Sequence, residues 1–112
     1  MSAQFVHQGD LIDYTPAAAV SAGDVVVQGE LVGVANIDIP ANTLGALAVT
    51  GVIDFPKASG AAVTFAAGDL VYWDDTNDLA VATAAAGANK QIGKAVLDAA
   101  DADASVRVRM SQ

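Results

Sequence analysis

Apolar and polar residues alternate along several short stretches of this chain, which is the pattern of β-strands that bury one face. The longest alternation covers residues 47–55, and we expect a central strand there. The cleanest alternation lies near the end of the chain, where Val106, Val108 and Met110 are predicted to point inward and Arg107 and Arg109 outward. The apolar pattern therefore has the period of a strand.

A short turn phrase precedes three of the apolar stretches. Residues 66–69 read Ala-Ala-Gly-Asp and lead into Leu-Val-Tyr-Trp, and residues 22–24 read Ala-Gly-Asp and lead into three valines. A weaker copy is Gly9 and Asp10. Glycine permits a tight turn, and aspartate accepts hydrogen bonds from the nearby backbone. The phrase predicts a turn that begins a strand.

Two hairpins follow from these turns, and they indicate an internal duplication. Residues 22–35 form one predicted hairpin with its turn at residues 28–30, and residues 70–83 form another with an acidic turn at residues 74–78. The first phrase is followed by Gly-Val-Ala at residues 33–35, and the second by Gly-Lys-Ala at residues 93–95, after a longer insert. Duplicated strand and turn units of this kind predict a small β-barrel or β-sandwich.

Composition supports an all-β chain. Glutamate occurs once, at Glu30, and Lys and Arg together five times, so the strong surface helix formers other than Ala are scarce. Aromatic residues make up only 5% of the chain, which predicts a thin core of small side chains. A length of 112 residues suits a single domain, residues 1–112, in which residues 1–8 form a short N-terminal arm.

The charge of the chain restricts its partners. The formal net charge is −8, and a surface this acidic repels phosphate backbones, so we expect no nucleic-acid partner. Without cysteine, the chain has no disulfide, thiolate nucleophile or Cys zinc site. Neither a signal-peptide pattern nor an apolar run of about 20 residues is present, so we expect no membrane partner and synthesis in the cytoplasm.

No cluster of residues predicts catalysis, a metal site or a bound cofactor. The acidic group at residues 74–78 lacks the glycine and the final glutamate of a calcium loop, and is interpreted as a hairpin turn. His7 is the single histidine, which makes a metal or acid–base site with Asp10 and Asp13 a poor interpretation. No serine lies in a nucleophile elbow, and no phosphate-binding loop is present. We therefore expect a protein that is not an enzyme.

The candidate functional residues are those suited to contacts with other proteins. Two roles are open for Trp73: it anchors the core, or, beside Tyr72, it fills a pocket on another subunit. Two roles are also open for Arg107 and Arg109, a solvated face or a clamp for carboxylates of a neighbour. The apolar part of the arm adds three further candidates, which are Phe5, Val6 and His7.

The order of five phrases resembles the small capsid cement proteins of phages, also called head decoration proteins, a family once labelled a predicted recombinase. The phrases are residues 23–25, 55–57, 68–74, 92–95 and 106–108. The resemblance extends from about Gln4 to Met110. It implies a β-rich structural protein of the virion, without catalytic residues, made in the cytoplasm of a bacterial host. It also implies that the protein binds the major capsid protein on the outside of the head as a homotrimer and stabilises the head. The sequence gives no support to the recombinase label.

Two alternatives remain. Residues 23–31 are similar to a hairpin phrase of biotinyl or lipoyl carrier domains, in which a lysine at a hairpin tip holds the cofactor. Lys57 is the lysine in question, but it lacks the flanking residues that this family usually shows. Another small β-barrel binding module is the second alternative, although a lining of Ala and Val offers few polar groups to orient a ligand.

Overall fold

The chain folds into two antiparallel β-sheets that pack as a sandwich, as seen in a computed structural model that describes residues 3–4, 9–59 and 63–111. The strands are β1 (Leu11–Tyr14), β2 (Val25–Gln28), β3 (Leu31–Ala35), β4 (Gly45–Ala48), β5 (Gly51–Pro56), β6 (Leu70–Asp74), β7 (Leu79–Val81), β8 (Lys90–Ala95) and β9 (Ser105–Met110). One 3-10 turn, Ala85–Gly87, precedes β8. The all-β prediction is confirmed, and the sandwich is observed in place of the closed barrel.

The four-stranded sheet has the order β1-β4-β3-β2, so β1 and β2 are its two edges. The predicted hairpin of residues 22–35 is confirmed, since Val25 pairs with Val34 and Gln28 with Leu31. The five-stranded sheet has the order β5-β9-β8-β6-β7. Its β6–β7 hairpin is also confirmed. The described residues contain no helix that is long and apolar enough to cross a membrane.

The single central strand predicted for residues 47–55 is wrong. The chain leaves the four-stranded sheet at Ala48 and enters the five-stranded sheet at Gly51, so the stretch forms β4 of one sheet and the edge strand β5 of the other. Gly51 has φ +107°, which L side chains rarely adopt. The alternation of apolar residues continues across this break, and for that reason the sequence pattern concealed it.

The main core lies between the two sheets. It contains the inward side chains of β9 and β6 together with Val32 and Val34 of β3. A smaller cluster covers the opposite face of the four-stranded sheet, where Ile39 packs with Ala35 and Leu47. The inward prediction for Val106, Val108 and Met110 is confirmed, since these side chains are buried while the intervening arginines are exposed. These buried residues fill the thin core that the composition predicted.

The predicted duplication is confirmed by its hydrogen bonds. The Gly23 amide donates to the Ala35 carbonyl at 2.6 Å, and the Ala35 amide donates back to the carbonyl of Asp24 at 3.0 Å. In the second unit, Gly68 and Asp69 make the same two bonds with Ala95, at 2.7 and 2.9 Å. We call each reciprocal pair a turn clamp. It joins the turn that begins one strand to the residue that ends a later strand.

Aspartates complete each turn clamp in the same way. Asp24 Oδ2 accepts from the Ser21 amide at 3.0 Å, and Asp69 Oδ2 accepts from the Ala66 amide at 2.9 Å. A second aspartate, Asp38 in the first unit and Asp98 in the second, accepts from the alanine before the turn glycine, at 2.7 and 2.8 Å. In the third phrase the Val49 amide donates to the Asp10 carbonyl at 3.1 Å, as in the clamps, but Asp10 Oδ1 accepts from the Thr50 hydroxyl at 3.1 Å. The side-chain bonds of the aspartate are therefore common to the first two turns, and the third differs in them.

The glycine that precedes the end of each clamped strand allows close packing. A Cβ atom at Gly33 would lie 2.8 Å from the Leu47 Cβ, and one at Gly93 would overlap the Arg109 carbonyl oxygen. The obstacle at Gly93 is backbone of the neighbouring strand β9, which cannot turn away as a side chain can. Gly93 is therefore required by the contact between β8 and β9.

We expect Gly93→Ala to lower the free energy of unfolding by about 3 kcal/mol, because the added methyl group would force β8 and β9 apart. The matched variant is Gly68→Ala, where the added methyl group meets no atom within 4 Å and the cost arises from φ +94° alone. That cost is about 1 kcal/mol. Urea unfolding followed by tryptophan fluorescence measures both values. Equal losses of unfolding free energy in the two variants would contradict a steric role for the contact between Gly93 and the backbone of β9.

Candidate functional site

The outer face of the five-stranded sheet is the candidate functional site. Buried and more exposed residues alternate along β9 and β6, and the exposed side chains of β5 and β8 lie on the same outer face. Three of the five Lys and Arg residues of this acidic chain lie on that face, which are Lys94, Arg107 and Arg109. The outer face therefore carries more positive charge than the rest of this acidic surface.

Four exposed side chains form a continuous row across the four strands. Val52 pairs with Arg109, Arg109 pairs with Lys94, and Lys94 pairs with Leu70. The two apolar ends of the row are substantially exposed, at 56% for Val52 and 42% for Leu70. Adjacent strands lie about 4.8 Å apart, so the row is about 14 Å long. We call these four residues the cross-strand row.

The centre of the cross-strand row carries two like charges side by side. Lys94 and Arg109 are directly opposite on neighbouring strands, an arrangement that destabilises a sheet. Within the described part of the chain, neither residue forms an ion pair with a carboxylate. These two positive charges are unpaired although the chain has 13 acidic residues. A negatively charged surface on a partner would neutralise them.

Arg107 is engaged within its own chain. Its Nε donates to Asp54 Oδ1 at 2.9 Å, and its second guanidinium nitrogen donates to Asp54 Oδ2 at 3.2 Å. The two residues are register partners on β9 and β5. The hydrogen bonds from Arg107 hold the pKa of the Asp54 carboxyl below its usual value, and the same pairing raises the pKa of Arg107. The carboxylate that Arg107 holds here therefore belongs to the same chain.

Tyr72 and Trp73 lie on opposite faces of β6. Tyr72 is half-buried and shares the outer face with Leu70, beside Gln91 and Val81 of the neighbouring strands. Trp73 is only 3% exposed, and its ring packs at a 59° tilt against Phe55 with 6.0 Å between the centroids. Its Nε1 donates to Asp75 Oδ1 at 3.3 Å. This position fits the role of core anchor.

The remaining candidates from the arm, Phe5, Val6 and His7, lie outside the described residues. Of the seven interface candidates, the structure thus brings Tyr72, Arg107 and Arg109 to one face. Sequence reasoning missed Val52, Lys94 and Leu70. These three residues join the face through the pairing of β5 with β9, β9 with β8 and β8 with β6, which no local sequence pattern shows.

The acidic turn after β6 is ordered by its own hydrogen bonds. Asp74 Oδ2 accepts from the Asn77 side-chain amide at 2.8 Å, and Asp74 Oδ1 accepts from the Thr76 amide at 3.0 Å. The bond from the Asn77 side chain is the main cause that lowers the pKa of the Asp74 carboxyl. In the described ranges, no group of three or more acidic or histidine side chains is placed to hold a metal ion. The turn interpretation of this acidic segment is confirmed.

Lys57 is buried, which bears on the carrier-domain alternative. The residue is 3% exposed, and its Nζ donates to the Ala58 carbonyl at 2.9 Å and to the Asp101 carbonyl at 3.4 Å. A carrier lysine has to be displayed for attachment of the cofactor. The structure therefore removes the main support for that alternative.

The Asp54–Arg107 pair predicts a dependence of stability on pH. Because the pKa of Asp54 is lowered on folding from 3.8, its stabilising contribution is complete well above this value and is lost as the pH falls through the lower folded value. We expect Asp54→Asn to reduce the urea midpoint at pH 7 and the difference from wild type to shrink below about pH 4. In an Arg107→Gln background, the same substitution should have little effect at either pH. A full effect in that background would contradict the pairing.

Comparison with known proteins gives a match to a protein family. A family model described as phage cement protein matches residues 6–110, which is nearly the whole chain. No curated protein and no solved structure gives a significant match. The matched range includes both turn clamps and the entire cross-strand row. The chain belongs to the phage cement protein family, a structural family of the phage capsid.

Proposed function

We propose that this protein binds the outside of a phage head and stabilises the shell through protein contacts, without catalysis. Family membership supports a structural role at the capsid. The observation that carries the proposal further is the cross-strand row, in which two unpaired cations lie between two exposed apolar side chains. The row, with Tyr72 and the Asp54–Arg107 pair beside it, is the surface that contacts the major capsid protein.

The composition of this surface suits a contact with another protein. Exposed Val52 and Leu70 would bury apolar area, while Lys94 and Arg109 would meet carboxylates of the capsid surface. Association would also relieve the repulsion between the two cations, because a shared carboxylate partner neutralises both. The acidic remainder of the chain would face solvent, away from the packaged DNA.

The mechanism of stabilisation is mass action. A protein that binds the expanded shell more tightly than the unexpanded or broken shell shifts the equilibrium toward the expanded form. Many copies on one head add their contributions, and a trimer would contact several capsid subunits at once. No reacting group is needed for this effect.

The direct test mixes the purified protein with expanded heads of the phage or prophage that encodes it. We expect the protein to co-sediment with the heads at micromolar concentration and to raise the temperature at which they break open. Unexpanded heads are the comparison. Failure to bind expanded heads at this concentration would overturn the proposed function.

The cross-strand row is tested by Arg109→Glu. Charge reversal should weaken attachment to heads at least about tenfold, since a favourable charge contact becomes a repulsive one. Lys90→Glu is the matched control, because it makes the same charge change at a lysine whose Nζ lies 3.0 Å from Glu30, away from the row. Raised salt should weaken attachment of the wild type as well. Equal attachment of both variants would remove the row from the binding surface.

A further inference from the structure

A groove runs along the free edge of β2. Its volume is about 560 Å³, within the range of about 300–1,000 Å³ typical of binding pockets. One wall is formed by the consecutive residues Val25, Val26 and Val27. Consecutive strand residues point to opposite faces, so a groove lined by all three follows the edge of the strand and not one of its faces. Pro56 and Trp73 of the other sheet line the groove as well.

The edge of β2 has the geometry to accept another strand. On one side β2 pairs with β3, and among the described residues no strand pairs with its other side. The backbone groups on that side are a template for β-sheet addition. The four residues of β2 set the length of segment that would pair.

We propose that residues 1–8 of a second copy of this chain occupy the groove and pair with β2. The arm contains Phe5 and Val6, its only large apolar residues besides Met1, which suit a wall of valines and tryptophan. The rim of the groove carries Asp24, Asp75 and Asp78. The arm has no acidic residue that this rim would repel. The apolar residues of the arm and its lack of negative charge therefore suit the groove.

The arm of the same chain is badly placed for this groove. The arm joins the fold beside β1, at the sheet edge opposite β2, three strand spacings or about 14 Å away. At about 3.3 Å per residue, crossing the sheet takes about four residues. Phe5 and Val6 would then belong to the crossing segment and could not fill the groove. Ala3 and Gln4 are exposed and lie in no strand. A second copy has no such restriction.

Exchange of this kind gives a closed oligomer. Each copy gives one arm and receives one, which is satisfied by reciprocal exchange in a two-fold pair and by head-to-tail exchange in a ring. The inference uses the free protein alone and does not depend on the proposed function. Exchange assigns the arm and the free edge of β2 to contacts between copies, and leaves the cross-strand row on the other sheet for the capsid.

Cysteine cross-linking tests the exchange, because the chain contains no cysteine of its own. One full-length chain carries Val6→Cys, and a second, mass-tagged chain carries Asp75→Cys on the groove rim. On oxidation of the mixture we expect a cross-linked pair of unequal chains. Asp13→Cys is the matched control, an exposed position on β1 at the other sheet edge, and should give at least about tenfold less product.

Light scattering and fluorescence supply the second measurement. The full-length wild type should be an oligomer at micromolar concentration, and the double variant Phe5→Asp with Val6→Asp should be a monomer with unchanged circular dichroism. Ser2→Ala with Gln4→Ala changes two polar residues of the same arm without adding negative charge, and should preserve the oligomer. A peptide of residues 1–8 added to the monomeric variant should shift the emission of Trp73, the single tryptophan.

Three results would overturn the exchange. The first is a monomeric wild type, and the second is equal cross-linking at Asp75→Cys and Asp13→Cys. The third is a chain with both Val6→Cys and Asp75→Cys that closes its disulfide within one chain, which would place the arm on its own groove. Head binding by the same variants is measured separately, so loss of the exchange and loss of capsid attachment are distinguishable.

Discussion

Each half of the sandwich is closed by a turn clamp, in which a Gly–Asp turn and the end of a later strand exchange two backbone hydrogen bonds. The core is made mostly of valine and alanine, whose burial stabilises less per residue than that of large aromatic side chains. Regular hydrogen bonding at the strand ends compensates in part, because it fixes the register of the strands that carry the core. A fixed register requires glycine at two kinds of position, the turns of the clamps and the close contacts within the strands. The four glycines are Gly23, Gly68, Gly33 and Gly93.

The fixed register of β5, β9 and β8 determines the chemistry of the outer face. Since Val52, Arg109, Lys94 and Leu70 are consecutive cross-strand partners, a shift of any strand by one residue would bury charges and expose the core. The same register places Asp54 opposite Arg107 and leaves Arg109 opposite Lys94. Arg107 is therefore neutralised by Asp54 within the chain. Arg109, two residues further along β9, remains available to a partner.

Local features of the fold were predictable from the sequence, and long-range pairing was not. The turn phrases, the two hairpins and the alternation in β9 depend on neighbours within a few residues, so composition and spacing were sufficient. The break between β4 and β5 was missed because the alternation persists through Gly51 while the chain changes sheet. The cross-strand row and the burial of Lys57 depend on contacts between segments distant in sequence, and no local pattern marks them.

The pairing of β5 with β9 has a consequence for how the protein is made. Among the described strands, β9 is the one that pairs with β5, so residues 51–56 gain this neighbour only after residues 105–110 have been synthesised. On the ribosome, the first hairpin can form early, but the five-stranded sheet is incomplete until residues 105–110 emerge from the exit tunnel. Closing so long a loop slows folding, and premature termination before Ser105 would leave β5 without a partner and β8 with a bare edge.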